Sequence, residues 1–230
     1  MPYCVKLAAS AGMGLLVLCM LGGCGRNGGD STSATPAANI AGGKDLPSKA
    51  GNAPLKNSDV DPLHPVVVLE TSLGNITITL DHEKSPRTVD NFLGYVNELH
   101  YDQTIVHQVF RGQGVVGGGY DVNFGEKRTR APIRNEAENG LKNVRGTIAM
   151  ARLPDNVHSA TCQFFFNVAD TPSLDFREPT PDGYGYCVFG EVTEGIDVVD
   201  RIANTPVHDT PAFEQTPNEA VVIHSARQIR

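Results

Sequence analysis

The stretch Thr104–Tyr120, TIVHQVFRGQGVVGGGY, decides how the rest of this 230-residue chain is interpreted. Its first half is rich in β-branched and aromatic residues, which favour strands, and Arg111-Gly112 marks a bend before a second extended run. That run ends in Gly117–Gly119, where the backbone can turn sharply or approach another part of the molecule closely. The stretch therefore predicts two short strands, a turn between them and a close backbone contact at the glycines.

Short strand patterns separated by turn signals surround this stretch, and only two segments have the pattern of helices. A hairpin is predicted from Val66–Glu70 and Asn75–Leu80. Further strands are predicted at Thr147–Ala151, Gln163–Val168, Tyr186–Val192 and Ala220–Ile229. Many short strands with few helices favour a closed antiparallel barrel, so the predicted fold class is mostly β.

The first predicted helix has Ser85 as its N-cap and Pro86 in its first turn. Its apolar residues recur with helical period and are predicted to face the core: Val89, Phe92, Leu93, Val96 and Leu99. Thr193 is predicted to cap the second helix, Glu194–Ala203.

Several motifs fall in a fixed order along the chain. They are SPRTVDNFLGYV at Ser85–Val96, IRNEAENGLKNVRGTIAMAR at Ile133–Arg152, QFFFNV at Gln163–Val168 and GYGYCVFGEV at Gly183–Val192. With Thr104–Tyr120 they resemble the bacterial branch of the cyclophilin family of peptidyl-prolyl cis/trans isomerases, over Val66–Arg230. The resemblance implies a closed eight-stranded antiparallel barrel capped by two helices, with a groove on its outer face that binds proline-containing polypeptides. It implies no cofactor.

The reaction of this family breaks no bond. The peptide bond before proline rotates slowly because it has partial double-bond character, with a barrier near 20 kcal/mol. A catalyst needs an apolar pocket for the proline ring, backbone hydrogen bonds to one side of the peptide and a strong donor near the prolyl nitrogen in the twisted state.

The donor position departs from the family pattern. The resemblance places an arginine directly after the histidine of this strand, and here Gln108 follows His107. An amide still donates a hydrogen bond but lacks the charge, which costs about 1–3 kcal/mol of transition-state stabilisation. Arg111 is a candidate replacement. Both His107 and Gln108 are assigned to the catalytic position, although a histidine bonded within its strand fits His107 better than a catalytic base.

One wall of the predicted groove is also altered. The resemblance places an aromatic residue at the position of Gln113, usually a methionine at Gly114 and a substrate-binding glutamine at Val116. Ser173 stands where many members of the family have another aromatic residue. The substrate-binding residues that match, or that stand at matching positions, are Gln163, Phe165 at the pocket floor, Ala151, Gln113, Val116, Leu174 and Tyr186. Because Phe164, Phe165 and Phe166 alternate faces of one strand, Phe165 is predicted to face the groove and its neighbours the core.

Two functions remain open at this point. One is an isomerase of reduced activity that assists the folding of exported proteins. The other is a catalytically weak or inactive cyclophilin-fold module that binds peptides or proteins while tethered to a membrane.

The first 23 residues have the layout of a lipoprotein signal peptide. A single lysine, Lys6, precedes the apolar run Leu7–Leu21, which is short for a membrane span. The tetrapeptide Leu21-Gly22-Gly23-Cys24 resembles a bacterial lipobox, which implies cleavage before Cys24 and acylation of that residue. An ordinary signal peptide with an incidental cysteine is the alternative.

Residues 24–65 have the composition of a tether. They are dominated by Gly, Ser, Ala, Asn and Pro without an apolar period, so they cannot bury enough surface to offset their ordering entropy. The predicted organisation is a signal at 1–23, a lipidated, disordered tether at 24–65 and a cyclophilin-like domain at 66–230. The predicted location is the bacterial cell envelope, at the outer membrane and facing the periplasm.

The net charge and the spacing of the histidines argue against two classes of function. A formal net charge of -7 argues against nucleic-acid binding, and the seven histidines show no metal-ligand spacing. Cys162 and Cys187 are expected to be small buried residues, with a disulfide as the alternative. The domain is expected to be a monomer.

Overall fold

The computed structural model describes residues 61–230. The strands are β1 Val66–Thr71, β2 Gly74–Leu80, β3 Thr104–Phe110, β4 Gly114–Asp121, β5 Thr147–Met150, β6 Phe164–Asn167, β7 Val188–Glu194, β8 Val207–His208, β9 Thr216–Pro217 and β10 Val221–Gln228. The helices are α1 Pro86–Asn97 and α2 Ile196–Ala203, and 3₁₀ turns lie at Ala137–Asn139 and Pro172–Leu174.

Eight of these strands close into one barrel, in the order β1-β10-β3-β4-β6-β5-β7-β2, and β8 pairs with β9 separately. Every pairing in the barrel is antiparallel. Side chains from the barrel interior and from both helices form one apolar core. The predicted mostly β fold, a closed eight-stranded antiparallel barrel with two helices, is confirmed.

The turn between β1 and β2 sets the register of the first hairpin. Thr71 lies opposite Gly74, and its hydroxyl donates to the Gly74 carbonyl at 2.6 Å and accepts from the Leu73 N–H at 3.2 Å. Gly74 has φ = 130°, which residues with a Cβ rarely adopt. The hydroxyl and the glycine together hold the turn closed.

Helix α1 packs on the barrel through Val89, Phe92 and Val96, all of which are buried. Leu99, which the helical period assigns to the same face, is 52% exposed. The helix ends at Asn97 and Leu99 has φ = 57°, so the chain has already turned away. The prediction was wrong at Leu99 because sequence periodicity does not show where a helix stops.

The N-terminus of α1 is capped by a residue far along the chain. The Ser85 hydroxyl donates to the Val188 carbonyl at 3.0 Å, and Ser85 makes no side-chain cap. Instead, the Glu136 carboxylate accepts from the backbone N–H of Arg87 at 3.3 Å and of Thr88 at 2.9 Å. A negative group there also interacts favourably with the helix dipole. Ser85 is therefore the N-cap residue and Pro86 begins the helix, as predicted, but the side-chain hydrogen bonds to the first N–H groups come from Glu136.

An irregularity in the β3–β4 pairing turns two neighbouring side chains outward. Val106 lies opposite Gly117, but Gln108 lies opposite Val116, so β3 has one extra residue, His107, between these pairs. Such a bulge places two consecutive residues against one on the partner strand. Val106 packs in the barrel core, whereas His107 and Gln108 both project from the outer face.

The glycine run of β4 allows the close approach that the sequence predicts. A Cβ on Gly118 would lie 2.8 Å from Phe164 and 2.9 Å from Tyr101. A Cβ on Gly119 would lie 2.6 Å from Gln163. Contacts below 3.0 Å require something to shift, so side chains at these two positions would displace the core aromatics and Gln163.

The second helix begins later than predicted. Thr193 lies within β7, which continues to pair with β2 as far as the Thr77–Glu194 pair. Gly195, with φ = 84°, then turns the chain into α2 at Ile196. Thr193 was predicted as the cap, but its residue type does not reveal that a neighbouring strand extends β7 past it.

Cys162 and Cys187 are buried free thiols rather than a disulfide. Cys162 packs in the barrel core, and Cys187 lies in a separate small cluster. Burial raises the pKa of the Cys162 thiol to about 12 and that of the Cys187 thiol to about 11. Both groups are therefore poor nucleophiles and behave as small apolar residues.

The signal peptide, the acylated Cys24 and nearly all of the tether at 24–65 were predicted for a part of the chain outside residues 61–230. Of the two helices described, neither is long and apolar enough to cross a membrane.

Candidate active site

One line of cross-strand pairs crosses five strands on the outer face of the barrel. Gln108 lies opposite Val116, Val116 opposite Phe165, Phe165 opposite Ala149, and Ala149 opposite Val188. Directly paired residues have their side chains on the same face of a sheet. The line therefore brings the predicted donor position and the predicted pocket floor onto one surface.

The apolar part of this line belongs to a cluster separate from the barrel core, called here the outer-face cluster. Its members are Val116, Ala149, Ala151, Phe165, Leu174, Tyr186 and Val188. None is more than 7% exposed, and the half-buried Phe110 and Leu141 pack against its edges. Five predicted binding residues thus meet in one cluster.

Phe165 is the centre of this cluster and has no solvent exposure. Its ring packs edge-on against Tyr186, with the centroids 5.7 Å apart. Phe164 and Phe166, its neighbours in β6, lie in the barrel core, as strand alternation predicts. Because Phe165 is fully covered, a ligand ring can reach it only if a surrounding side chain moves.

A buried arginine holds the far side of the cluster. The Arg152 guanidinium lies over the Tyr186 ring, 4.8 Å from its centroid. Arg152 is 6% exposed, and its Nε donates to the Gly185 carbonyl at 2.9 Å. It also donates to the carbonyls of Leu153, Pro154 and Pro181. Arg152 therefore joins two loops to the ring that packs on Phe165.

The Gln108 side chain is already engaged with the protein. It is 1% exposed, and its Nε2 donates to the backbone carbonyl of Glu214 at 3.2 Å. Glu214 belongs to the segment before β9, and the neighbouring Gln215 carbonyl accepts from the Val109 N–H at 3.0 Å. The amide must leave Glu214 before it can donate to anything bound above the cluster.

His107 lies in an aromatic group beside the cluster. Its ring is 4.8 Å from Tyr120 and 4.9 Å from Phe213, measured between centroids. Burial lowers the pKa of His107 to about 3. The ring is therefore neutral at ordinary pH and packs as an aromatic residue, in line with the structural interpretation of His107.

The Arg111 side chain at the bend reaches the segment that follows α2. The exposed Arg111 places Nη2 at 3.5 Å from the Thr205 carbonyl, which follows α2. Gln113 is half-buried, and its backbone is held by bonds to Phe110 and Val168. Arg111 in this position does not supply the guanidinium that Gln108 lacks.

Gln163 and Ala151 are joined at one end of the cluster. The Ala151 N–H donates to the Gln163 carbonyl at 2.9 Å, which extends the pairing of β5 with β6. The Gln163 Oε1 atom is buried without a hydrogen-bond partner among residues 61–230. It is an acceptor available to a ligand.

Sequence reasoning missed three residues that shape this site. Arg152 appears in the sequence analysis only as part of a motif, and no element or role is predicted for Phe213 or Glu214. The signal for Arg152 was a charged residue at the end of a predicted buried strand, where it must find partners. The other two carry no signal, because their contacts with β3 arise from the path of the loop.

The arrangement suits binding and rotation of an apolar group rather than proton transfer. It combines an apolar floor, an uncharged amide donor and a neutral histidine. Among residues 61–230, no group of three or more His, Cys, Asp or Glu side chains could hold a metal ion.

Comparisons with known proteins agree with this geometry. The model of the cyclophilin type peptidyl-prolyl cis-trans isomerase family matches residues 66–228. Peptidyl-prolyl cis-trans isomerase cyp18 of Streptomyces antibioticus is 48% identical over 161 residues, which cover 70% of this chain and 96% of that protein. Peptidyl-prolyl cis-trans isomerase B of Escherichia coli is 46% identical over 160 residues, covering 70% and 97%.

Solved structures show the same fold at lower identity. A cyclophilin type peptidyl-prolyl cis-trans isomerase of Cryptosporidium parvum is 22% identical, with a TM-score of 0.59. The match covers 73% of this chain and 98% of the Cryptosporidium chain. A second structure of that protein, in the presence of the dipeptide Ala-Pro, has a TM-score of 0.58 at 22% identity and covers 72% and 99%.

Proposed function

Because this chain belongs to the cyclophilin family of peptidyl-prolyl cis-trans isomerases, we propose that it is an isomerase of reduced activity that acts on exported proteins in the cell envelope. Isomerase activity follows from relatives with this name at 44–48% identity. The reduced activity, the clients and the envelope location are our proposal. The observation that carries the reduced activity is the Gln108 amide held by Glu214.

The outer-face cluster is the proposed proline site. The Cryptosporidium relative was solved in the presence of Ala-Pro, and an apolar floor around Phe165 suits a proline ring here. Binding would place the prolyl nitrogen toward Gln108, at the β3 end of the line of paired side chains. Rotation is accelerated only to the extent that the twisted bond is bound better than the planar ones.

Two features of the structure support a weak catalyst. Gln108 must first break its bond to Glu214, which costs about 0.5–1.5 kcal/mol for a neutral hydrogen bond. It then donates without a charge, which loses about 1–3 kcal/mol relative to a guanidinium. Together these costs correspond to a rate between about ten- and two-thousandfold lower than with an unhindered arginine.

The same observations support a second candidate, a binding module without useful catalysis. Phe165 is fully covered, and Arg111 lies against Thr205 rather than above the floor. A groove that binds extended peptides without turning them would retain the apolar cluster and would not need the charged donor.

We further propose that the protein is anchored through lipid on Cys24, facing the periplasm at the outer membrane. The support is the sequence pattern alone, LGGC after an apolar run, followed by a polar segment that would act as the tether. Acyl chains contribute roughly 0.8 kcal/mol per buried methylene, so more than one chain would hold the protein firmly.

The experiment that tests the function is proline isomerisation in an Ala-Pro-Phe peptide, followed by NMR exchange with residues 25–230 and with the Gln108→Arg variant. Exchange accelerated by both, and faster with the variant, supports a weakened enzyme. Activity only in the variant supports the binding module. Absence of acceleration and of peptide binding in both would refute the proposed site.

A further inference from the structure

The segment between β8 and β9, residues 209–215, lies against β3 and is called here the strap. At one point of the strap Phe213 is buried in the aromatic group beside the outer-face cluster. Further along, the Gln215 carbonyl accepts from a backbone N–H of β3 at 3.0 Å. Between these two anchors, the Glu214 carbonyl accepts from the Gln108 amide. The strap is therefore fixed to β3 on both sides of its contact with the donor position.

One peptide group of the strap is held from both of its ends. The Glu214–Gln215 peptide directs its carbonyl to the Gln108 Nε2 at 3.2 Å and its N–H to the Asp209 Oδ1 at 2.9 Å. Because the C=O and N–H of a planar trans peptide point in opposite directions, the bond to Asp209 fixes the direction of the carbonyl. A carboxylate that accepts the N–H also polarises the peptide and strengthens its carbonyl as an acceptor. Asp209 thus acts on Gln108 through a single planar group.

The backbone of Gln215 has a less strained alternative. Its φ is 53°, in the left-handed region that residues with a Cβ rarely adopt. A half-turn of the Glu214–Gln215 peptide plane would bring this angle to roughly -130°, within the broad β region. The same half-turn would break the bond to Asp209 and withdraw the carbonyl from Gln108. The bond to Asp209 therefore opposes a rotation that the backbone of Gln215 favours.

The remainder of the strap can stay in place during such a rotation. The Thr210 hydroxyl donates to the Phe213 carbonyl at 3.0 Å and accepts from the Phe213 N–H at 2.9 Å. Neither bond involves the Glu214–Gln215 peptide, and burial of Phe213 anchors the segment before it. Release of Gln108 thus requires a change at one peptide and no opening of the loop.

We propose that Asp209 is a positioning residue that restrains the donor, because it locks the Glu214–Gln215 peptide with its carbonyl toward Gln108. Rotation of this peptide releases the Gln108 amide to donate to the twisted prolyl bond. The inference rests on the proposed function, since it assumes that Gln108 is the donor in proline isomerisation.

The first test measures kcat and KM for an Ala-Pro peptide by NMR exchange. In Asp209→Ala, loss of the lock should raise kcat by about two- to twelvefold, which is the worth of one neutral hydrogen bond. KM should stay within about twofold, because the released donor acts in the transition state. Asp209→Asn keeps an amide oxygen that can accept the N–H, so it should stay close to the wild type. Glu219→Ala removes the same charge from an exposed residue outside the strap and should leave kcat unchanged.

Substitutions of Gln215 should shift kcat in opposite directions. Gln215→Gly favours the left-handed conformation and should lower kcat by about two- to fivefold. Gln215→Val, which is β-branched, disfavours that conformation and should raise kcat. Damage to the fold alone would not produce an increase in either Gln215→Val or Asp209→Ala.

The side-chain amide of Gln108 gives a readout that does not depend on activity. Its N–H signals, assigned by their loss in Gln108→Ala, should exchange with solvent faster in Asp209→Ala than in the wild type, by about the same factor as kcat rises. Gln108→Ala should also abolish the gain in kcat that Asp209→Ala produces, because the lock acts through this amide.

The outcomes separate the lock from the proposed function. An active wild type with unchanged or lower kcat in a folded Asp209→Ala protein would overturn the role of Asp209. No catalysis by the wild type or any variant, together with faster amide exchange in Asp209→Ala, would overturn the proposed function and leave the lock. No catalysis together with unchanged amide exchange would overturn both.

Discussion

Replacing adjacent phenylalanines of β6 separates the proposed site from the core that supports it. Phe165 lies in the outer-face cluster and Phe166 in the barrel core, and they are 0% and 3% exposed. Truncation of a buried phenylalanine to alanine typically costs about 3–5 kcal/mol of unfolding free energy. We expect Phe165→Ala and Phe166→Ala to be destabilised similarly, with melting temperatures roughly 6–20 °C below the wild type.

The two variants should differ in catalysis. The proline ring has three methylenes, and burying each against an apolar surface contributes about 0.8 kcal/mol. Loss of the phenyl floor should therefore cost up to about 2.4 kcal/mol of binding to the twisted peptide, which corresponds to a loss of up to about sixtyfold in kcat/KM. Phe166→Ala removes no surface facing the groove, so its kcat/KM should stay within about threefold of the wild type.

The assay is NMR exchange of an Ala-Pro peptide at about 10 °C, with circular dichroism showing that each variant is folded at that temperature. Equal losses of kcat/KM in the two variants would refute the reasoning, since the effect would then follow stability rather than the face of the strand. Full activity in Phe165→Ala would mean that the covered ring never becomes the floor of a proline pocket.

Four further predictions concern other parts of the molecule. Burial lowers the pKa of His107 to about 3 in the folded state, so the unfolded state binds more protons below pH 6.5. The unfolding free energy should therefore fall by about 1.4 kcal/mol per pH unit as the pH drops below that value. Urea titrations from pH 7 to 4 should show this slope, and His107→Phe should reduce it. Glu136→Ala removes the carboxylate that caps α1 and should cost about 1–2 kcal/mol of unfolding free energy, measured by urea denaturation. Arg152→Met removes the guanidinium donor to the buried Gly185 carbonyl and leaves the Tyr186 ring without its cation. Calorimetry should then show weaker binding of proline peptides, and thermal melts should show a loss of about 1–3 kcal/mol of unfolding free energy. The control Arg201→Met, at the exposed surface of α2, should retain peptide affinity. Cys24→Ser should abolish partition of the expressed protein into detergent and the acyl mass on its N-terminal peptide; an unchanged mass would contradict lipidation.

The order of elements was accessible from the sequence because it depends on local patterns. Alternating apolar residues, turn glycines and one helical stripe predicted the strands, the bend at Arg111-Gly112 and the close approach at Gly117–Gly119. Two-residue alternation also placed Phe165 on the opposite face from Phe164 and Phe166, and the resemblance indicated which of the two faces is the outer one. The ends of helices and strands were harder to predict. Helix α1 ends before Leu99, and β7 continues past Thr193 because it still pairs with β2 there.

The state of the site was decided by tertiary structure. The resemblance to the family leads us to expect an arginine at the position of Gln108, but nothing local indicates the bond of Gln108 to Glu214, which joins residues 106 positions apart. The cap on α1 likewise comes from Glu136, 48 positions beyond Thr88. Hydrogen bonds between distant segments depend on the path of loops, and no local periodicity encodes that path.

The sequence by itself thus determined the strands, the first helix and the mostly β barrel, because each of these is a matter of residue type at a regular spacing. The groove residues and the missing arginine are expectations that rest on the resemblance to the family. Only the tertiary structure decided that the floor around Phe165 is covered and that Arg152 lies over the Tyr186 ring. Burial and pairing are properties of surfaces brought together by the closed barrel, and they exist only once it has formed.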